Sequence, residues 1–172
     1  MDLVENSFRA GSDRVEIEIR EDRDSGYLTL IIRDNGKGVP EEELPKLLDP
    51  FYTTKEGKRI GLGIPLFYQA CKRCGGDLSL EVNKASGLTL TGTMRLDSID
   101  LPPYGDLGAT ISAILLGYPH LNLKFHWKIG HRAISLDTEE LREGNLLDYP
   151  LIVGIGEEIR SFYNSTKGGK NA

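Results

Sequence analysis

Apolar and charged residues alternate from Arg14 to Arg20 (Arg-Val-Glu-Ile-Glu-Ile-Arg), which predicts a strand with one wet face. Asp22 to Gly26 reads as a turn and Tyr27 to Arg33 as a second strand, so the pair makes an antiparallel hairpin. Asp77 to Val82 and Leu88 to Leu96 read as two further strands of the same sheet, joined around Asn83 to Gly87. Two stretches carry a helical period instead. From Asp2 to Ala10, Leu3, Val4, Phe8 and Ala10 fall on one broad face, while Asp2 and Asn6, four apart, share another. Ile64 to Cys74 places Leu66, Phe67, Ala70 and Cys71 on a buried side and ends at Gly75-Gly76. The first helix opens with no turn or element before it, so either Met1 is a genuine start on a shortened helix or, as favoured here, the natural beginning lies upstream.

Between these elements the pattern breaks. Pro40 starts a short acidic stretch, Glu41 to Leu48, which Pro45 splits into two turns or leaves as one helix. Asp49 to Arg59 has no regular period and reads as a mobile lid. Pro102-Pro103, within Ser98 to Gly105, marks a boundary. Beyond it come a helix from Asp106 to Leu116 capped by Asp106, a hairpin of Leu121 to Ile129 with His131 to Leu136, and a short helix opened at Asp137. A last helix spans Tyr149 to Tyr163 despite Gly154 and Gly156, and a polar tail follows. Ala109, Ile111, Ala113, Ile114 and Leu115 read as core.

At 172 residues, 39% hydrophobic and 27% charged, the chain suits one soluble domain or one domain with a small appendage. A net charge of -5 argues against general binding to nucleic acid or to an anionic membrane. No apolar run is long enough to span a bilayer, and the cytoplasm is the default location. The two cysteines, Cys71 and Cys74, cannot frame a disulfide scaffold or fill a zinc site. One turn apart on one helix, they read as core, with a redox or cluster role as the alternative.

Candidate chemistry begins at Asp34. A β-favouring run ends in this carboxylate, and Gly36 and Gly38 follow at alternate positions. A strand of that kind delivers a fixed acceptor to a sheet rim, where it can take a hydrogen bond from an exocyclic amine. Glycines beyond it let backbone approach a flat ligand. The same residues also fit an ordinary hairpin turn. Gly61-Leu62-Gly63 runs into a helix, where free N–H groups and a positive dipole end suit phosphates. Asn6 offers an oxygen of the kind that hard cations take, or reads as a polar surface residue.

In that order the motifs resemble the GHKL superfamily (gyrase, heat-shock chaperone, histidine kinase, MutL), most closely its histidine-kinase branch. Asp2-Leu3-Val4-Glu5-Asn6 resembles the asparagine box and Asp34-Asn35-Gly36-Lys37-Gly38 the first glycine motif. Asp49-Pro50-Phe51-Tyr52-Thr53-Thr54-Lys55 resembles the lid motif, Gly61-Leu62-Gly63-Ile64 the second glycine motif, and Gly92-Thr93 the late Gly-Thr. The resemblance covers Asp2 to about Leu96. It implies ATP with Mg2+ as ligand: Asn6 holding the metal, Asp34 the adenine amine, Gly36 and Gly38 the nearby loop, and Phe51 the lid. It also implies Lys55 and the Gly61, Leu62 and Gly63 backbone at the phosphates, with Thr93 supporting the adenine pocket. In the gyrase and MutL branches a glutamate four residues before the asparagine activates water. Asp2 stands there, one methylene shorter, and reads equally well as a base or as a first-turn helix aspartate.

The expected fold is an α/β (α+β) two-layer sandwich: a mixed, mostly antiparallel sheet with helices on one face, plus a small α+β C-terminal extension. The expected division is a nucleotide domain at 1–97, a linker at 98–105, the extension at 106–164 and a disordered tail at 165–172. His120, His126 and His131 all lie in the extension and read as surface or packing residues rather than phosphoryl acceptors. Two functions follow: phosphotransfer or slow ATP hydrolysis, or a nucleotide-gated module without turnover that docks a protein partner or a second copy through the extension.

Overall fold

The computed structural model describes residues 1–50, 62–83, 87–142 and 147–167. Helix α1 (Asp2–Arg9) leads into the hairpin β1 (Arg14–Asp22) and β2 (Tyr27–Asp34), followed by a 3-10 helix at Glu41–Leu48. Helix α2 (Gly63–Arg73), β3 (Leu78–Val82) and β4 (Leu88–Arg95) complete the first half. The second half is α3 (Leu107–Gly117), the hairpin β5 (Asn122–Ile129) and β6 (Arg132–Asp137), α4 (Thr138–Leu141) and α5 (Tyr149–Lys167).

All six strands form one sheet, in the order β3-β4-β2-β1-β5-β6. Neighbours are antiparallel except β1 and β5, which run parallel. The alternation in β1 sets the faces. Val15, Ile17 and Ile19 lie beside Leu123, Phe125 and Trp127 of β5, and all six are buried. Val4 of α1, Cys71 of α2, Ile111 of α3 and Ile152 of α5 join them in one core, so the helices cover one face. The other face carries Glu16, Glu18, Arg33, Lys124 and His126, tied by pairs such as Arg33–Glu16 at 3.5 Å and Lys124–Asp137 at 2.7 Å. This is the expected two-layer sandwich with a mixed, mostly antiparallel sheet.

Several local expectations change. The hairpin expected after residue 105 continues the main sheet beside β1, because its apolar face completes the core that Val15, Ile17 and Ile19 begin. Tyr104 packs onto the same core and donates its hydroxyl to Glu21 at 3.0 Å, so the Pro102-Pro103 segment is anchored. Glu41–Leu48 is a single 3-10 helix that tolerates Pro45. Leu66 is 54% exposed because the buried stripe of α2 runs through Ile64, Phe67 and Cys71, leaving residue 66 off its phase. Ala109 and Ala113 face outward while Ile111, Ile114 and Leu115 are buried. Helix α5 runs through Gly154 and Gly156 and continues to Lys167.

Candidate functional site

Asp34 ends β2 on the core-facing side, opposite Val15 across the β1–β2 ladder. Its carboxylate is held from three directions. Oδ1 accepts the Gly36 N–H at 3.0 Å and the Leu88 N–H at 3.2 Å, while Oδ2 accepts the Ser7 hydroxyl of α1 at 2.7 Å. Its backbone carbonyl takes the Asn83 side-chain amide at 2.9 Å. A carboxylate has about four acceptor positions, so among the described residues three donors fix this one and leave one position for a ligand. The chain does not turn back after Asp34, and β2 pairs next with β4, which excludes the hairpin-turn reading.

The glycine loop is packed rather than loose. Asn35 accepts from Ser12 Oγ at 2.8 Å and from the Arg14 N–H at 3.0 Å, pinning the loop to the start of β1. A Cβ on Gly36 would lie 2.9 Å from the Ala10 Cβ, so the loop lies flush against the end of α1. At Gly87, φ is +98° and a Cβ would fall 2.1 Å from the Asp34 carbonyl oxygen, a position that only glycine fills.

Helix α2 delivers its N-terminus to the same region. A Cβ on Gly63 would stand 3.1 Å from the Asp2 Cβ and 3.7 Å from the Asn6 amide nitrogen. Asp2, Asn6 and Gly63 are thus neighbours, as the motif order requires. The first N–H groups of a helix lack partners within it. Gly63 and Ile64 supply such groups, Pro65 supplies none, and no acidic residue occupies the first turn. Leu62 precedes Gly63 and is 43% exposed. Phe51, Lys55 and Gly61 lie outside the described residues.

Thr93 is placed elsewhere. It pairs with Thr29, on the sheet face opposite Asp34, five positions along β2 and hence about 17 Å away. Its hydroxyl accepts the Asp77 N–H at 3.1 Å. The alternation of Leu88, Leu90, Gly92 and Met94 already carried that information: it sends Thr93 to the wet face. At the rim, the strand β4 residue beside Asp34 is Leu88. Ser7, which belongs to none of the motifs, follows Val4 by three positions on the buried side of α1 and is 4% exposed.

Residues 1–98 match the family described as histidine kinase-, DNA gyrase B- and HSP90-like ATPase. The chain belongs to this family. Among its relatives, sensor kinase CckA of Brucella abortus is 33% identical over 79 residues, covering 45% of this chain and 8% of that protein. Sporulation kinase C of Bacillus subtilis is 28% identical over 98 residues, covering 57% of this chain and 23% of the kinase. The ATP-binding domain of PrrB from Mycobacterium tuberculosis aligns with a TM-score of 0.41 at 26% identity, covering 54% of this chain and 60% of that one. This chain spans less than a quarter of the length of those two curated relatives.

As an ATP-binding domain of this family, the chain would hold Mg2+ beside the nucleotide, and the residues present fit that ion. The Asn6 side chain is half-buried and makes no hydrogen bond among the described residues, which leaves its oxygen available. Among the described residues no three His, Cys, Asp or Glu side chains converge as a metal cage. One protein oxygen, with the remainder from phosphates and water, is the ligand set magnesium accepts in nucleotide sites. No helix among the described residues is long and apolar enough to cross a membrane.

Proposed function

We propose that the chain binds ATP with Mg2+ at the rim between α1, the end of β2 and the N-terminus of α2, and serves there as a histidine-kinase-like phosphotransfer or slow hydrolysis domain. The observation that carries this reading is the Asp34 carboxylate at a sheet rim, which three donors among the described residues fix with one acceptor position left. An adenine exocyclic amine is a donor of the kind that position takes. Gly36 and Gly38 form the loop beside the adenine in this proposal, and the Gly63 and Ile64 N–H groups meet phosphate oxygens. Asn6 supplies a metal oxygen, and the ion when bound neutralises phosphate charge. In this proposal Asp2, exposed beside Gly63, orients or deprotonates a water near that helix end. Lys55 and Gly61 complete the phosphate side in this proposal, and Phe51 the lid.

Titration calorimetry with ATP and Mg2+ tests the binding. Asp34→Asn keeps a carbonyl for the Gly36 and Leu88 N–H groups, and the Ser7 hydroxyl can turn to accept from its amide, so the fold persists. The new amide offers a donor where the adenine amine needs an acceptor, and ATP affinity should fall at least tenfold. Unchanged affinity in a folded variant sinks the assignment. A second reading, a nucleotide-gated module without turnover, is favoured by the histidines. All three lie on the C-terminal strands or beside them, with His126 on the wet face bonded to Ser135 at 2.8 Å. Incubation with γ-labelled ATP separates the two: released phosphate or acid-labile phosphoprotein marks turnover, and bound, unconsumed ATP marks the module.

A further inference from the structure

We infer that Ser7 is the residue that sets the preference of this site for an adenine over a 6-oxo purine, acting as a positioning residue through Asp34. The inference rests on the nucleotide reading above and adds to it the determinant of base choice. Both acceptor positions of Asp34 Oδ1 are taken by backbone donors, Gly36 at 3.0 Å and Leu88 at 3.2 Å. A base must therefore meet Oδ2. Among the described residues that oxygen has one partner, the Ser7 hydroxyl at 2.7 Å, from a serine that is 4% exposed on α1.

A serine hydroxyl has one proton to donate. Here it goes to Oδ2, so the serine oxygen keeps only lone pairs for anything else that approaches. The carboxylate is locked in one rotation, and both side-chain atoms at the contact present acceptors. A 6-amino purine offers N–H there and is welcomed. A 6-oxo purine offers a carbonyl oxygen and meets lone pairs with lone pairs, an arrangement that leaves buried acceptors unpaired and is costly. Without the hydroxyl, Oδ2 gains a second open position and the carboxylate loses one of its three anchors. Water or a rotated carboxylate then accommodates either base, and discrimination falls while phosphate binding persists.

The test compares ATP with inosine triphosphate, which replaces the amine by a carbonyl and leaves the triphosphate unaltered. Affinities with Mg2+ are measured for the wild-type chain, Ser7→Ala and Ser7→Thr, with Mg2+–triphosphate as a base-free control. In wild type the ATP to inosine triphosphate affinity ratio is expected to be well above tenfold. In Ser7→Ala it should fall about tenfold with triphosphate binding unchanged, and Ser7→Thr, which keeps the hydroxyl, should restore it. A folded Ser7→Ala with its ratio within twofold of wild type overturns the inference, as does a Ser7→Thr that loses the ratio. If Ser7→Ala does not fold, Ser7→Cys, a weaker donor of similar size, reads the same quantity: a lowered ratio supports the role and an unchanged one rejects it. A wild-type chain that binds no nucleotide fails the parent reading, whatever the variants do.

Discussion

Cys71 and Cys74 stand one turn apart near the end of α2, at 0% and 1% exposure. Burial, then the neighbouring Cys74 and Asp77, pushes the Cys71 thiol up to about 11, so almost none of it is thiolate at neutral pH. A thiol reagent at pH 7 should label neither cysteine in the native chain and both after denaturation, read by mass spectrometry. Rapid native labelling would contradict the packing role. At the same scale, the Asp34 pattern fits a hairpin turn equally well by itself, and Asp34 stands out in the sequence only because Asn6, Gly61 and Gly63 accompany it in order. Ser7 does not stand out, because a buried serine on a short helix looks like any polar residue until its partner, 27 positions away, is known. For Thr93 the Gly-Thr dipeptide and the strand alternation point in different directions, and the alternation sends it to the wet face beside Thr29.

Among elements, closeness of approach decides most contacts. Helix α2 lies so near β4 that a Cβ on Gly92 would stand 2.4 Å from the Phe67 ring, which gives Gly92 a packing reason independent of any ligand. Helices α3 and α5 cross at Gly108 and Gly156, where a Cβ on the first would fall 2.2 Å from the carbonyl oxygen of the second. This contact explains a glycine inside α5 that the propensity of the segment counts against. Asp106 caps α3 by accepting the Ala109 N–H at 2.8 Å and pairs with Arg160 of α5 at 2.9 Å. The Ala109 N–H first, and the Arg160 guanidinium second, hold its carboxyl below the usual 3.8. A carboxyl lowered by folding stabilises the chain above its ordinary value and loses that contribution as pH falls through the lowered one. Asp106→Ala should lower the melting temperature by about 2–4 °C at pH 7, with the gap to wild type closing as pH falls below about 3.8. A gap that stays constant with pH would mean the charge on Asp106 is irrelevant.

For the molecule as a whole, the sheet joins what the chain order separates. The match to the ATPase family ends at residue 98, yet β1, inside that stretch, shares its second edge with β5. Val15, Ile17 and Ile19 are covered in part by residues from beyond the match. Burying each such side chain is worth about 2 kcal/mol, so exposing even half of their surface costs several kcal/mol, against a total of about 5–15 for a typical domain. A fragment of residues 1–98 should therefore aggregate or melt well below the full chain, and a fragment as stable as the whole would refute the shared core. Layer order and the first four strands were readable from alternation. The joining of the second hairpin was not, because pairing between β1 and β5 links positions more than a hundred residues apart and leaves no local trace.

Trp127 is the only tryptophan in the sequence, and it lies in β5 directly beside Ile19, stacked among Tyr104, Phe162 and Tyr163. The molecule thus carries its own optical reporter, seated on the strand that locks the two halves together. Its emission needs no dye, and a red shift on heating would record the moment that seam opens to water.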